Sequence, residues 1–186
     1  MITFKIEERE INMSESWKEI TLNQYISILN LEKIIGTFLF NEIYYIRLLE
    51  VLCNEEENGL DDMTLETLNS LIIKTSYILE IPEWPINNHI LFNDKIWVFP
   101  TNYNKLTMGE VISIKTLQQK PDLTQTIPDL LSVILRPGKK VLIDGVEKYI
   151  ADKFDGNLDE RREEILKMTV YNLIGPVNFF LNGSNS

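Results

Sequence analysis

Apolar and polar positions change period several times along the chain, and each period predicts an element. Ile2, Phe4 and Ile6 alternate with Thr3, Lys5 and Glu7, the period of two expected of a strand with one buried face. Glu10 to Met13 follows as a second short strand. Tyr45, Leu48, Leu49 and Leu52 take the i, i+3, i+4, i+7 spacing that gathers one apolar stripe on a helix, and Ile127, Leu130, Leu131 and Ile134 repeat it 82 positions later. A longer stripe runs through Leu65, Leu68, Leu71, Ile72, Thr75, Ile78 and Leu79, with Asp61, Asp62 and Thr64 available as caps before it and Pro82 after it. Ile90 to Phe92, a polar turn at Asn93-Asp94-Lys95, and Ile96 to Phe99 predict a hairpin.

Beyond Arg136, Pro137-Gly138 must end a helix, because proline has no amide hydrogen to donate and its ring clashes with the preceding turn. Val141 to Ile143, Asp144-Gly145 and Val146 to Ile150 then fit a further hairpin. Val146 to Phe154 fits a helix equally well, and the pattern leaves both open. Asn157 with Glu160 forms a cap-like pair opening an Arg/Glu-rich helix that runs to about Met168. Gly175-Pro176 interrupts the chain before Phe179-Phe180-Leu181, and Asn182 to Ser186 has the composition of a frayed tail.

The two halves share a device. Thr21 with Gln24, and Thr107 with Glu110 placed 86 positions later, both spell a capping box: the threonine hydroxyl accepts from an orphan amide, and the side chain three residues on reaches back. Ile20 against Tyr25 and Leu106 against Val111 stand where a hydrophobic staple would fix the angle of entry. Glu10 to Met13 lies over Ile96 to Phe99 at the same offset. The expected fold is therefore mainly α with short β-hairpins (α+β), built as two related hairpin-helix-helix units, 1–86 and 87–186, the second adding a C-terminal helix.

Composition narrows the function. Of 186 residues, 44% are hydrophobic, enough to build a core, and no run approaches the roughly 20 apolar residues of a membrane-spanning helix. Met1 to Glu10 has no apolar signal-peptide core, so export by that route is not expected. The 28 acidic side chains outnumber 18 basic ones, for a net charge of -10, which argues against direct nucleic-acid or anionic-membrane binding. The single cysteine, Cys53, allows neither an intrachain disulfide nor a cysteine metal cluster.

Candidate chemistry is sparse. His89 is the only histidine and has no Ser or Cys nucleophile in a recognisable signature nearby. Cys53 precedes Asn54-Glu55-Glu56-Glu57, whose charges would raise a thiol pKa and blunt a nucleophile. Asp152, Asp155, Gly156, Asn157 and Asp159 place oxygen donors round a glycine but miss calcium-loop spacing, so a loop with a helix cap is the better reading. Lys139-Lys140 and Arg161-Arg162 are too few to track a phosphate backbone, and no glycine-rich phosphate loop is present. No catalytic, cofactor-binding or metal-ligating residue is expected. The remaining signal is aromatic: Trp84, Trp97, Tyr103, Phe179 and Phe180 stand near element boundaries, where such residues serve either a core or a partner surface.

Trp17 to Ile26, Leu106 to Glu110, Ile127 to Pro137 and Gly175 to Leu181 together resemble small α-helical proteins encoded in the structural gene blocks of tailed bacteriophages. The versions from Bacteroidetes phages, crAss-like phages included, are the most similar. The resemblance implies a non-enzymatic virion component, capsid-associated, portal-proximal or in the tail, found in the virion and in the host cytoplasm during assembly. Its partners would be other phage structural proteins, met in a symmetric homo- or hetero-oligomer. A tail assembly chaperone is the alternative, and a phage regulator or inhibitor of one host protein a further one.

Overall fold

The computed structural model describes residues 1–37, 41–80, 82–85, 87–100, 104 and 106–175. The fold is α+β. Its contacts gather into two compact units, one of residues 1–83 with 169–171, the other of residues 84–168 with the described residues from 172 on.

The first unit opens with a hairpin of β1 (Ile2–Ile6) and β2 (Arg9–Met13), paired Ile2 to Met13 and Ile6 to Arg9. The period of two puts Ile6, Ile11 and Met13 into the core while Lys5, Glu10 and Asn12 stay wet. Helix α1 (Leu22–Ile34) follows, then α2 (Asn41–Cys53), whose Leu48, Leu49 and Leu52 are all buried as their spacing requires. Helix α3 (Leu65–Lys74) is capped by the Thr64 hydroxyl. The expected long stripe to Leu79 does not hold as one helix. Thr75 turns its hydroxyl and its amide onto the Ile72 carbonyl, and the chain tightens into a 3-10 turn at Ser76–Leu79 that leaves Leu79 exposed.

The second unit repeats the order. Strands β3 (His89–Phe92) and β4 (Lys95–Val98) form its hairpin, followed by α4 (Met108–Gln118) and α5 (Leu123–Ile134). The turn lacks glycine, yet Asn93 and Asp94 both take positive φ, 50° and 58°, a conformation that short polar side chains tolerate. Leu130, Leu131 and Ile134 are buried 82 positions after Leu48, Leu49 and Leu52.

After α5 the units diverge. The segment that fitted either strand or helix is a hairpin, β5 (Arg136–Ile143) with β6 (Val146–Ala151), and it extends the sheet in the order β3-β4-β5-β6, antiparallel throughout. Asp144 and Gly145 make its turn at φ 53° and 74°, which settles the choice for a hairpin. Gly138 has a packing reason: a Cβ there would stand 2.4 Å from the Ile150 carbonyl oxygen and 2.7 Å from Val98 Cγ2. Helix α6 (Leu158–Ile165) then packs on α5. The Asn157 side chain does not cap it. Its amide nitrogen donates to Glu160 instead, while the Asp155 carboxylate accepts from the Asn157 backbone amide.

Candidate functional site

Each unit is organised round the entrance to its first helix. Thr21 sits extended at φ -74° and ψ 161°, accepts from the Gln24 amide at 3.2 Å, and donates its own amide to Gln24 Oε1 at 2.9 Å. Thr107 has φ -71° and ψ 159°, accepts from the Glu110 amide at 3.3 Å and donates its amide to Glu110 Oε2 at 2.7 Å. Both capping boxes read from sequence are formed. One turn on, Ser27 and Ser113 each donate a hydroxyl to the carbonyl four residues back, again 86 positions apart.

The third-position side chains are buried and turn inward to the end of the second helix. Gln24 Nε2 donates to the Val51 carbonyl at 2.9 Å and reaches the Leu52 carbonyl at 3.4 Å, a further donor to groups that also accept from the Asn54 and Ser14 amides. Glu110 Oε1 stands 3.4 Å from Arg136 Nε, inside ion-pair distance but without hydrogen-bond alignment. Coulomb attraction survives such misalignment, and among the described residues Arg136 is the cation within ion-pair distance of this fully buried carboxylate.

Each unit also carries an open groove between its first and second helices. In the first unit it encloses about 340 Å³ over Leu31, Ile34 and Val51, with Arg47, Glu50, Glu55 and Glu57 around it. In the second it encloses about 380 Å³, with Leu117, Asp129 and Ser132 taking the places of Leu31, Arg47 and Glu50. The floor charge is reversed. Arg47 donates to both Glu50 oxygens at 2.6 Å and to Asp61 at 3.2 Å, whereas Asp129 accepts from Arg162 of α6 at 2.9 Å and from Lys120 at 3.2 Å. The acid left over in the first groove is on its rim, where Glu57 is exposed and Glu55 meets Arg9 at only 3.5 Å.

A run of exposed apolar side chains lies on β5 and β6. Only Arg136 to Gly138 pair with β4, so residues 139–143 and 146–150 continue as a two-stranded ribbon about 17 Å beyond the sheet. Leu142 is 71% exposed, Val146 58% and Ile150 43%. Sequence reasoning marked aromatic residues and passed over this ribbon, although the aliphatic run around Asp144-Gly145 was its visible signal.

The singled-out residues divide. Trp97 is 1% exposed and belongs to the core, since its side chain stands on the covered face of the sheet beside the buried Ile90 partner; it is thereby removed from any partner surface. Trp84 is half-buried. Tyr103, Phe179 and Phe180 lie outside the described residues. Trp17, by contrast, is a structural anchor: its indole donates to the Tyr77 and Glu80 carbonyls at 3.0 and 2.8 Å, with Tyr25 and Tyr77 edge-on to it.

The reactive residue types are held in structural contacts. His89 stacks on Tyr149 with ring centres 3.5 Å apart and planes 9° apart. They stand on the two edge strands, about 14 Å apart across a flat sheet, so the sheet curls over that face. Burial, then the charges of Glu55 and Glu50, push the Cys53 thiol up to about 12, far from a thiolate at neutral pH. Asp155 pairs with Arg161, which also donates to the Ser132 carbonyl at 2.9 Å and so ties α6 to α5. Among the described residues no three His, Cys, Asp or Glu side chains converge as metal ligands, and no helix is long and apolar enough to cross a membrane.

Comparison with protein families, with curated proteins and with solved structures finds no match to this chain.

Proposed function

We propose that this chain is a non-enzymatic component of a tailed bacteriophage particle, a structural or assembly protein acting through protein contacts beside capsid, portal or tail proteins. The observation that carries the reading is the β5–β6 ribbon, whose aliphatic residues Leu142, Ile143, Val146 and Ile150 face water together. A two-stranded ribbon is marginal by itself in water and gains stability when a neighbour covers it. The engagement of His89, Cys53 and Asp155 in packing and ion pairing points the same way.

The open groove beside α4, α5 and α6 favours a second reading, a tail assembly chaperone that covers an apolar segment of another tail protein and then leaves. Purified mature particles separate the two. A stoichiometric band near 21.7 kDa, confirmed by peptide mass, is expected for a virion component. Presence in infected cells with absence from particles selects the chaperone, and association with neither particles nor any phage protein overturns both.

A further inference from the structure

The β5–β6 ribbon has two unlike faces. Directly paired residues share a face, so Lys140 and Tyr149 fall on one side with Leu142 and Glu147. On that side the polar groups are paired, Lys140 with Glu147 at 2.5 Å and Tyr149 with His89, and Leu142 is its one exposed aliphatic residue. The opposite side presents Val141, Ile143, Val146 and Ile150, with Lys139 and Lys148 between them. Neither lysine has an acidic partner among the described residues. This face is aliphatic and purely basic, on a chain whose net charge is -10.

The first unit's groove has the inverse character. Its floor is the aliphatic set Leu31, Ile34 and Val51, its one cation, Arg47, is already neutralised by Glu50 and Asp61, and its rim carries Glu55 and Glu57. The second groove is a poorer match, because its lining of Asp129, Asp159 and Arg162 carries less net negative charge than Arg47, Glu50, Glu55 and Glu57 in the first.

We propose that the β5–β6 ribbon of one copy docks by its Val141, Ile143, Val146 and Ile150 face into the α1/α2 groove of a second copy of this chain. Lys139 and Lys148 approach the Glu55 and Glu57 rim, and the aliphatic residues cover Leu31, Ile34 and Val51. Donor and acceptor surfaces differ, so the contact is head-to-tail: the ribbon donor keeps a free groove and its acceptor a free ribbon, and repetition closes into a ring or runs on as a filament. The inference rests on the reading of the chain as an assembly protein, and names its partner as itself.

Sedimentation equilibrium of the full chain over a range of concentration and salt tests it. Concentration-dependent association is expected, weakened by salt because the charges are exposed. Val146→Asp on the ribbon and Glu57→Lys on the groove rim should each weaken it about tenfold, with unchanged circular dichroism because both positions are exposed. A mixture of the two variants retains one intact ribbon and one intact groove, and should form a dimer that grows no further. Should Val146→Asp disturb the fold, Lys148→Glu provides the same reading through charge alone. A chain that stays monomeric at every concentration, or associates equally well with Val146→Asp and Lys148→Glu, overturns the proposal. Particle-bound protein that never self-associates defeats this contact alone; self-association by a protein absent from particles and from phage complexes defeats the functional reading alone.

Discussion

At the entrances to α1 and α4 the chain uses one backbone device and two different third-position side chains, and the difference follows what comes after the second helix. In the first unit α2 ends in a turn with Asn54 at φ 57°, which leaves carbonyls facing inward; Gln24 has an amide group to donate to them. In the second unit α5 passes directly into β5, and Arg136 arrives at that place; a carboxylate, with no hydrogen to donate but a charge to offer, suits it. A duplicated frame therefore keeps its cap and changes the one atom group that meets its divergent exit.

The largest expected effects test whether the frames are equivalent in the core. Leu49 and Leu131 occupy matching fully buried positions, so Leu49→Asp and Leu131→Asp should each unfold the protein, at a cost of roughly 4 kcal/mol or more. Urea titration followed by tryptophan fluorescence measures both. A soluble, cooperatively folded Leu131→Asp protein would place that residue outside the core and break the equivalence.

Exchanging the third-position groups comes next. Gln24→Glu would aim a carboxylate at the Val51 and Leu52 carbonyls and should cost about 3 kcal/mol, the scale of an uncompensated buried charge. Glu110→Gln keeps the cap but leaves Arg136 without its counter-charge, and should cost about 1–3 kcal/mol. Equal and negligible losses in chemical denaturation would mean the exits do not select the side chain.

The smallest effect concerns α6, present after the hairpin only in the second unit. The Asn157 backbone amide, and then the Arg161 guanidinium, hold the Asp155 carboxyl below its usual range. A folded pKa below the unfolded one stabilises the fold fully above the unfolded value, and this contribution is lost as pH falls through the folded value. Melting temperature measured down the acid limb should therefore fall less steeply in Asp155→Asn, which begins lower at neutral pH. Parallel curves would remove Asp155 from the acid response.

Much of this was legible along the chain because the interactions are local. A capping box joins residues three apart, so Thr21 with Gln24 and Thr107 with Glu110 could be read directly, as could the strand alternation of Ile2 to Ile6 and the stripe through Leu131. The break at Thr75 was hidden, because a threonine hydroxyl continues or ends a helix according to which carbonyl it finds. Val146 to Phe154 was ambiguous because nine residues are too few to separate a period of 2 from one of 3.6.

By itself the sequence determined the paired helix starts and the fold class, since each depends on spacings within a few residues. Only the tertiary structure decided that Trp97 is core, that Gln24 and Glu110 reach different partners, and that the faces of the ribbon differ. Burial and charge pairing depend on which distant segments arrive beside a residue, and no short window of sequence contains them.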